Sequence, residues 1–349
     1  MYGCSLIKSF DGFEGGAAAA EGGPGPGDRD ASGSTCSRSP WPEKPSASDG
    51  PDLGEQILGV RELAVLPASS ASVARNLDGL CTCPERAACR GTSLEPACDA
   101  VGSGADNASA SLYADLVQAG VRLDDEGLRA GNALGKYSVL VRILRYDGKR
   151  DDPDVSVAIL NGFGLDSGSP DARAAYDGSD VWAIDEESQP GGQVAIYASN
   201  RAWVRDGMLY ASIPAVTFKV RLPTGSAWQV VRLEMTEVHL LARLGGSEGL
   251  FRLDEGVLAG RWPARSALRQ AQISGLCAAG PTRATYEVIK ARVCAARDLP
   301  LAPGDDGRDE SCSALSFSFG FAASPAKRGA VGAPEDTIVC PLVADDCDG

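Results

Sequence analysis

The chain has 349 residues, 33 Lys and Arg against 47 Asp and Glu, a net charge of −14, and 44% apolar residues. This length and apolar fraction are enough for one large domain or two ordinary ones with a proper core. Nucleic acid and anionic membrane surfaces need a basic patch on the protein that binds them. The acidic balance, with arginines scattered singly, therefore argues against both partners.

The N-terminal 54 residues are rich in Gly, Pro, Ser and Asp and poor in aliphatic side chains. This composition predicts a disordered tether over residues 1–54. Within it, Gly3-Cys4 resembles the end of a bacterial lipobox, in which the cysteine receives lipid. The resemblance implies a lipid anchor at Cys4, with the basic and apolar parts of a signal peptide encoded upstream of the printed start. An unpaired cysteine in a tether is the alternative.

Eleven cysteines form two groups, apart from Cys4, and the stretch from Asp99 to Leu276 contains none. Ten clustered cysteines, an even number, favour disulfides in an oxidising compartment. Zinc is the alternative for the first group, but the paired C-x₂₋₄-C units of structural zinc sites are missing. The predicted disulfide cysteines, whose pairing stays open, are Cys36, Cys81, Cys83, Cys89, Cys98, Cys277, Cys294, Cys312, Cys340 and Cys347.

Residues 55–111 combine a predicted first strand at Ile57–Leu66 with a cysteine-rich segment. The segment has too few apolar residues to fold on burial alone, so disulfides would have to hold it.

In the body predicted over residues 112–323, apolar and polar side chains alternate with a period of two from about residue 112 to 260, and again at Ser316–Phe321. Such short, half-buried runs, separated by Asp, Gly, Asn and Pro, predict antiparallel strands. The fold class is mainly β, an antiparallel β-sandwich of jelly-roll or lectin-like type. The side chains expected to share the inner face of their strand are Val155, Val157 and Ile159; Val216, Phe218, Val220 and Leu222; and Phe317, Phe319 and Phe321.

Two short helices are predicted near 263–273 and 283–297, the first beginning at Pro263. Cys277 and Cys294 lie in or beside them, so disulfides are expected to pin the pair onto the sheet. The remaining residues, 324–349, read as a loop-like tail stapled by Cys340 and Cys347.

Two motifs invite a catalytic interpretation that the sequence does not support. Gly245–Gly249 matches the G-x-S-x-G nucleophile elbow around Ser247, but that elbow needs a helix after it and a histidine later in the chain. The single histidine, His239, lies upstream. A hairpin turn explains the glycines better. His239 is interpreted as an ordinary strand histidine, and a pair with Glu237 on the same strand face is the alternative.

Acidic loops are the strongest candidate for ligand binding. Calcium prefers six to eight oxygen ligands from flexible loops, and Asp-rich turns between strands can supply them. The calcium hypothesis rests on Asp151, Asp152, Asp154, Asp177 and Asp180. The alternative is that these residues are solvated turn formers and that the protein has no cofactor.

A carboxylate pair in a groove with aromatic walls would suit glycoside hydrolysis. Trp182, Trp203 and Trp228 could form a platform on which a sugar stacks, or could be core residues. The aromatic content of 6% is low for a sugar-binding cleft.

The layout of a Cys4-led tether, a cysteine-rich segment and a β-rich body resembles exported bacterial cell-envelope lipoproteins. The resemblance implies an exported protein of the envelope (outer membrane or periplasm) or of the extracellular space. The first hypothesis is a non-catalytic module that binds a cell-surface glycan or protein, or serves structurally. The alternative is a carboxylate- or calcium-dependent polysaccharide hydrolase.

Overall fold

The computed structural model describes most of the chain from Trp41 onward. The described residues are 41–46, 50–65, 74–79, 89, 106–110, 112–113, 125–167, 169, 172–192, 194–224, 227–247, 250–308, 310–334 and 340–347. Cys4, Cys36, Cys81, Cys83 and Cys98 lie outside them.

Within this part of the chain ten strands form one sheet, with the order β10-β4-β3-β2-β1-β9-β8-β7-β6-β5. All neighbours are antiparallel except β4 and β10, which run parallel. The mainly β prediction is confirmed. The strands are β1 (Gln56–Val65), β2 (Ser138–Leu144), β3 (Asp152–Leu165), β4 (Val181–Asp185), β5 (Ala198–Arg205), β6 (Met208–Thr224), β7 (Ala227–Gly245), β8 (Arg252–Pro263), β9 (Ala314–Pro325) and β10 (Lys327–Gly332).

The sheet closes on itself, because β5 pairs with β6 on one side and with the first half of β3 on the other. Eight strands therefore surround a single interior, and a two-sheet sandwich is not confirmed. The second half of β3 pairs with β4 instead. There Trp182 and Ile184 of β4 pack with Leu140 of β2 on the outer face of the closed sheet.

The interior is apolar, and the alternating patterns predicted most of it. Val157 of β3, Phe218 of β6 and Phe319 of β9 all lie in the main core cluster. The neighbours two residues away in these runs, among them Val155, Val220 and Phe321, lie there too. Burial of these side chains supplies the main favourable term for folding of the sheet.

The alternation breaks once in the long β6–β7 hairpin. Met235 and Val238 both point into the core although they are three residues apart, whereas strict alternation would put them on opposite faces. Between them Glu237 adopts a left-handed backbone conformation, with φ 48°, opposite Pro214 of β6. This irregularity reverses the faces of β7, so His239 points outward rather than into the apolar interior.

The helices of the described residues include α1 (Asp125–Ala133), α2 (Ala264–Ile273) and α3 (Arg283–Ala295), and single 3₁₀ turns lie at Pro190–Gly192 and Pro303–Asp305. The predicted pair near the C-terminal end, α2 and α3, is confirmed. They pack together around Leu268, Tyr286 and Ile289, against Leu315 of β9.

Three disulfides confirm the prediction of cystine bonding. They join Cys89 to Cys312, Cys277 to Cys340, and Cys294 to Cys347. The last two tie the α2–α3 pair to the tail, whereas Cys277 and Cys294 were expected to pin the pair onto the sheet. Such bonds persist in the oxidising environment of exported proteins.

Candidate functional site

An aromatic cluster lies on the outer face of β5, β6 and β7, where the break at Glu237 directs His239. The ring of Trp41 stacks on His239, with centroids 4.6 Å apart and planes 20° apart. The ring centroids of Trp203 and Tyr210 are 4.5 Å apart. The indole Nε1 of Trp203 donates a hydrogen bond to the carbonyl oxygen of Pro42 at 2.9 Å. Residues 41–42 of the predicted tether are thus attached to the sheet.

The surroundings of His239 keep its ring neutral and covered. Its Nδ1 lies 2.9 Å from the hydroxyl oxygen of Tyr210. Burial, with a smaller contribution from the positive charge of Arg261, lowers the pKa of His239 to about 4. The ring is therefore neutral near pH 7, and its face is covered by Trp41. The hypothetical pair with Glu237 is replaced by contacts with Tyr210 and Trp41.

A charged network lies at an opening in the closed sheet. Beyond Ala158, β3 leaves β5, so β3 and β6 face each other without a strand between them in the described structure. The side chain of Asn161 spans this gap, since its Nδ2 donates to the Thr217 carbonyl at 2.7 Å and its Oδ1 accepts from the Lys219 amide at 3.0 Å. Asn161 thereby replaces two of the main-chain hydrogen bonds that a paired strand would make with β6.

Lys219 connects this opening to the end of β4. Its Nζ lies 2.7 Å from Oδ2 of Asp185 and 2.7 Å from Oε2 of Glu187. The Lys219 side chain is 9% exposed and that of Asp185 is 3% exposed. Lysine and aspartate are rarely buried to this degree unless they are paired.

Arg232 of β7 holds the second carboxylate. Its Nη1 donates to Oε2 of Glu187 at 2.9 Å, and its Nη2 donates to Oε1, a bidentate arrangement. Burial alone would raise the pKa of Glu187, but the hydrogen bonds and charges of Arg232 and Lys219 outweigh it and hold the pKa below its ordinary value. Glu187 is therefore ionised near neutral pH.

A small cavity adjoins the network. It is lined by Tyr137, Asn161, Asp185, Lys219 and other residues, and its volume of about 10 Å³ leaves room for about one water molecule. The site thus brings together the buried amine of Lys219, the buried carboxyl of Asp185, the second carboxylate of Glu187 and space for a water molecule. The sequence patterns alone did not single out this group, because Lys219 reads as an outward strand residue and Asp185 and Glu187 read as turn acids.

The five predicted calcium residues fall into two separate turns. Asp151, Asp152 and Asp154 surround the start of β3, whereas Asp177 and Asp180 precede β4, which pairs with the far end of β3. Asp152 accepts hydrogen bonds from the amides of Asp147 and Asp154.

The other aspartates in this set also have partners within the protein. Asp151 accepts from the Asp206 amide, Asp154 pairs with Arg145, Asp177 accepts from Ser179, and Asp180 accepts from the amides of Ala175 and Tyr176. No group of three or more His, Cys, Asp or Glu in the described residues has the geometry of a metal site.

The tryptophans do not form a common platform. Trp182 of β4 is fully buried against the outer face of the closed sheet, Trp203 is beside Tyr210, and Trp228 lies next to Gly131 of α1. The motif at Gly245–Gly249 follows β7, whose Gly245 pairs with Arg252 of β8, so the hairpin interpretation of these glycines is confirmed.

A second buried polar cluster lies on the outer face of β8 and β9. Arg261, 1% exposed, donates to both carboxylate oxygens of Asp306 and to the Pro300 carbonyl. Asp298 accepts from the amide of Ser316 at 2.7 Å. Burial raises the pKa of Asp298 to about 7, against the opposing hydrogen bonds of Ser316. Neither residue stands out in the sequence, because their partners are distant along the chain.

Comparison of the chain with protein-family models, with curated proteins and with solved structures finds no match. None of the helices in the described part of the chain combines the length and the apolar character needed to span a bilayer.

Proposed function

We propose that the chain is an exported, non-catalytic module of the cell envelope that binds a surface glycan or protein, or serves structurally. The observation that carries this proposal is the state of the single histidine. His239, the one imidazole in the sequence, is neutral, hydrogen-bonded to Tyr210, and covered by the chain's own Trp41. A general base must instead reach a substrate proton in a cleft.

The carboxylates support the same proposal. A hydrolase that uses two carboxyl groups needs them on either side of a bound substrate. In the two acidic turns Asp152, Asp177 and Asp180 accept hydrogen bonds from main-chain amides close to them in sequence, as turn-forming residues do. Asp185 and Glu187 both contact Lys219 instead.

The proposed location follows from the disulfides and from Cys4. Disulfides are typical of exported proteins, and a lipid on Cys4 would hold the module at a membrane through residues 5–40. Mass spectrometry of the protein extracted from membranes tests this anchor. We expect a diacylglycerol adduct on Cys4, and an unmodified full-length chain in the aqueous fraction would contradict it.

Binding and hydrolysis are separated by one paired experiment on the full oxidised chain. Glycan arrays and envelope-protein arrays measure binding, and release of reducing ends from the same polysaccharides measures hydrolysis. We expect retention on a defined glycan or protein class with no increase in reducing ends over a reduced, denatured control. Turnover of a polysaccharide would overturn the proposal in favour of a hydrolase.

A further inference from the structure

Lys219 and Asp185 are close enough to react with each other as well as to form an ion pair. Its Nζ touches Oδ2 of Asp185 at 2.7 Å in a site from which most water is excluded. Holding two reacting groups in contact removes the entropic cost of bringing them together, which favours a reaction that is negligible between free molecules. The product of an amine and a carboxyl group is an amide.

We propose that Lys219 and Asp185 condense into an intramolecular isopeptide bond that joins β6 to the end of β4. A proton first passes from the Lys219 ammonium to the Asp185 carboxylate, which leaves a neutral amine and a carboxylic acid. The Nζ–Cγ bond then forms, the bond from Cγ to one carboxyl oxygen breaks, and that oxygen leaves as water. The step consumes no oxidant, reductant or co-reactant.

Glu187 is placed to move the second proton. Its Oε2 lies 2.7 Å from Nζ, so it can accept the proton that the attacking nitrogen must lose and return it to the leaving oxygen. Arg232 binds both carboxylate oxygens of Glu187 and keeps it ionised and oriented, as the acceptor role requires. The water released has space in the adjoining cavity lined by Asp185 and Lys219.

The bond would have a clear structural effect. It would lock the opening between β3 and β6, where the closed sheet lacks a strand and Asn161 bridges the gap. The reaction happens once per molecule and leaves no group free for turnover, so it is compatible with a non-catalytic module. It would add a fourth covalent link to the three disulfides of the described structure.

Mass spectrometry of the purified folded chain, fully reduced and alkylated before analysis, tests the proposal. We expect a mass lower by one water molecule than the mass calculated for the same chain with every cysteine alkylated. After proteolysis, we expect a branched peptide that contains both Lys219 and Asp185. An unshifted mass, together with linear peptides in which Lys219 carries a free amine, would overturn the proposal.

Two variants separate this bond from other losses of water. Lys219→Arg keeps a cation beside Asp185 but removes the primary amine, so its mass should match its sequence. Glu187→Gln removes the proton acceptor with little change in size, and should form the branched peptide more slowly or not at all. Loss of water from the Lys219→Arg chain would show that the mass shift arises elsewhere and would contradict the assignment.

Discussion

The interior of the closed sheet and the layers on its outer face are held together by different forces. The interior is a large cluster of aliphatic and phenyl side chains, such as Phe218 and Phe319, whose rings meet edge to face at 5.5 Å. The α2–α3 pair with its tail has a small apolar cluster and two disulfides. Burial suffices where the core is large, and a small core needs covalent support.

Polar contacts also hold the tail to the α2–α3 pair, in contrast to the apolar interior of the sheet. The amide of Gln272 in α2 makes two hydrogen bonds with the main chain of Val343, at 2.7 and 2.9 Å. Asp345 accepts from the Tyr286 hydroxyl and from Lys290 of α3. The tail is therefore fixed by specific contacts, and each can be removed without opening the sheet.

Removal of an interior ring should have the largest effect. Phe319→Ala leaves a cavity in the middle of β9, and truncation of a buried phenylalanine costs about 3–5 kcal/mol. Urea denaturation of the oxidised chain should show this loss of unfolding free energy. Val288→Ala, on the exposed side of α3, is the control and should change it by less than about 0.5 kcal/mol. A cost below about 1 kcal/mol for Phe319→Ala would contradict the view that the sheet depends on its interior.

Removal of one tail disulfide should have a smaller and more local effect. The double variant Cys277→Ser, Cys340→Ser opens a link that spans 63 residues, and loss of such a link typically costs about 2–4 kcal/mol. Hydrogen exchange should quicken in α2, α3 and residues 340–347 while β6 to β9 keep their protection. Lys290→Met, which removes only a half-buried ion pair, should cost about 1 kcal/mol or less. Faster exchange throughout the strands would mean that the two regions unfold as one unit.

The sequence predicted those regions whose structure follows from the local pattern of apolar and polar residues. The alternation around Val157, Phe218 and Phe319 identified interior faces, and the helix pair was found from its apolar stripe. The face reversal at Glu237 was missed because it depends on a backbone conformation opposite Pro214 and leaves no break in the run of strand-forming residues. Closure of the sheet was missed because the pairing of β3 with β5 is set by tertiary packing.

The candidate site depends even more on distant contacts. Lys219 and Asp185 are 34 positions apart in the numbering, and nothing in either local pattern indicates the other. Trp41 lies in a low-complexity segment, so its packing on His239 could not be foreseen from composition. The cysteines were the exception, since their number and clustering indicated covalent bonding before any partner was known.

His239 and Asp298, which both lie on the outer face of the sheet, test whether the outer layers also contribute to stability through buried titratable groups. His239 has a lowered pKa of about 4 against an ordinary 6.5, so the unfolded chain binds the extra proton between these values. Its contribution to stability is present above pH 6.5 and is lost as the pH falls towards 4. Asp298 has a raised pKa of about 7 against an ordinary 3.8, so the native chain binds the extra proton in that window. Its contribution is present below pH 3.8 and is lost as the pH rises towards 7.

The two contributions oppose each other between pH 4 and 6.5. Asp298→Asn should make unfolding free energy rise with pH in this range, by at most about 1.4 kcal/mol per pH unit. His239→Gln should make it fall with pH by a similar amount. Denaturant titrations at several pH values within the range measure both slopes. Equal slopes in the two variants would show that neither group titrates as its surroundings require.

Calcium should have the smallest effect, and it tests whether the acidic turns act as ligands or as turn formers. Asp152 and Asp180 already accept two main-chain hydrogen bonds each, and the two turns lie at opposite ends of β3. A cation that bound the native chain would raise its melting temperature through mass action. We expect equal midpoints in calcium and in chelator for the full oxidised chain. A calcium-dependent rise that Asp152→Asn abolishes and Asp177→Asn leaves unchanged would assign binding to the turn before β3.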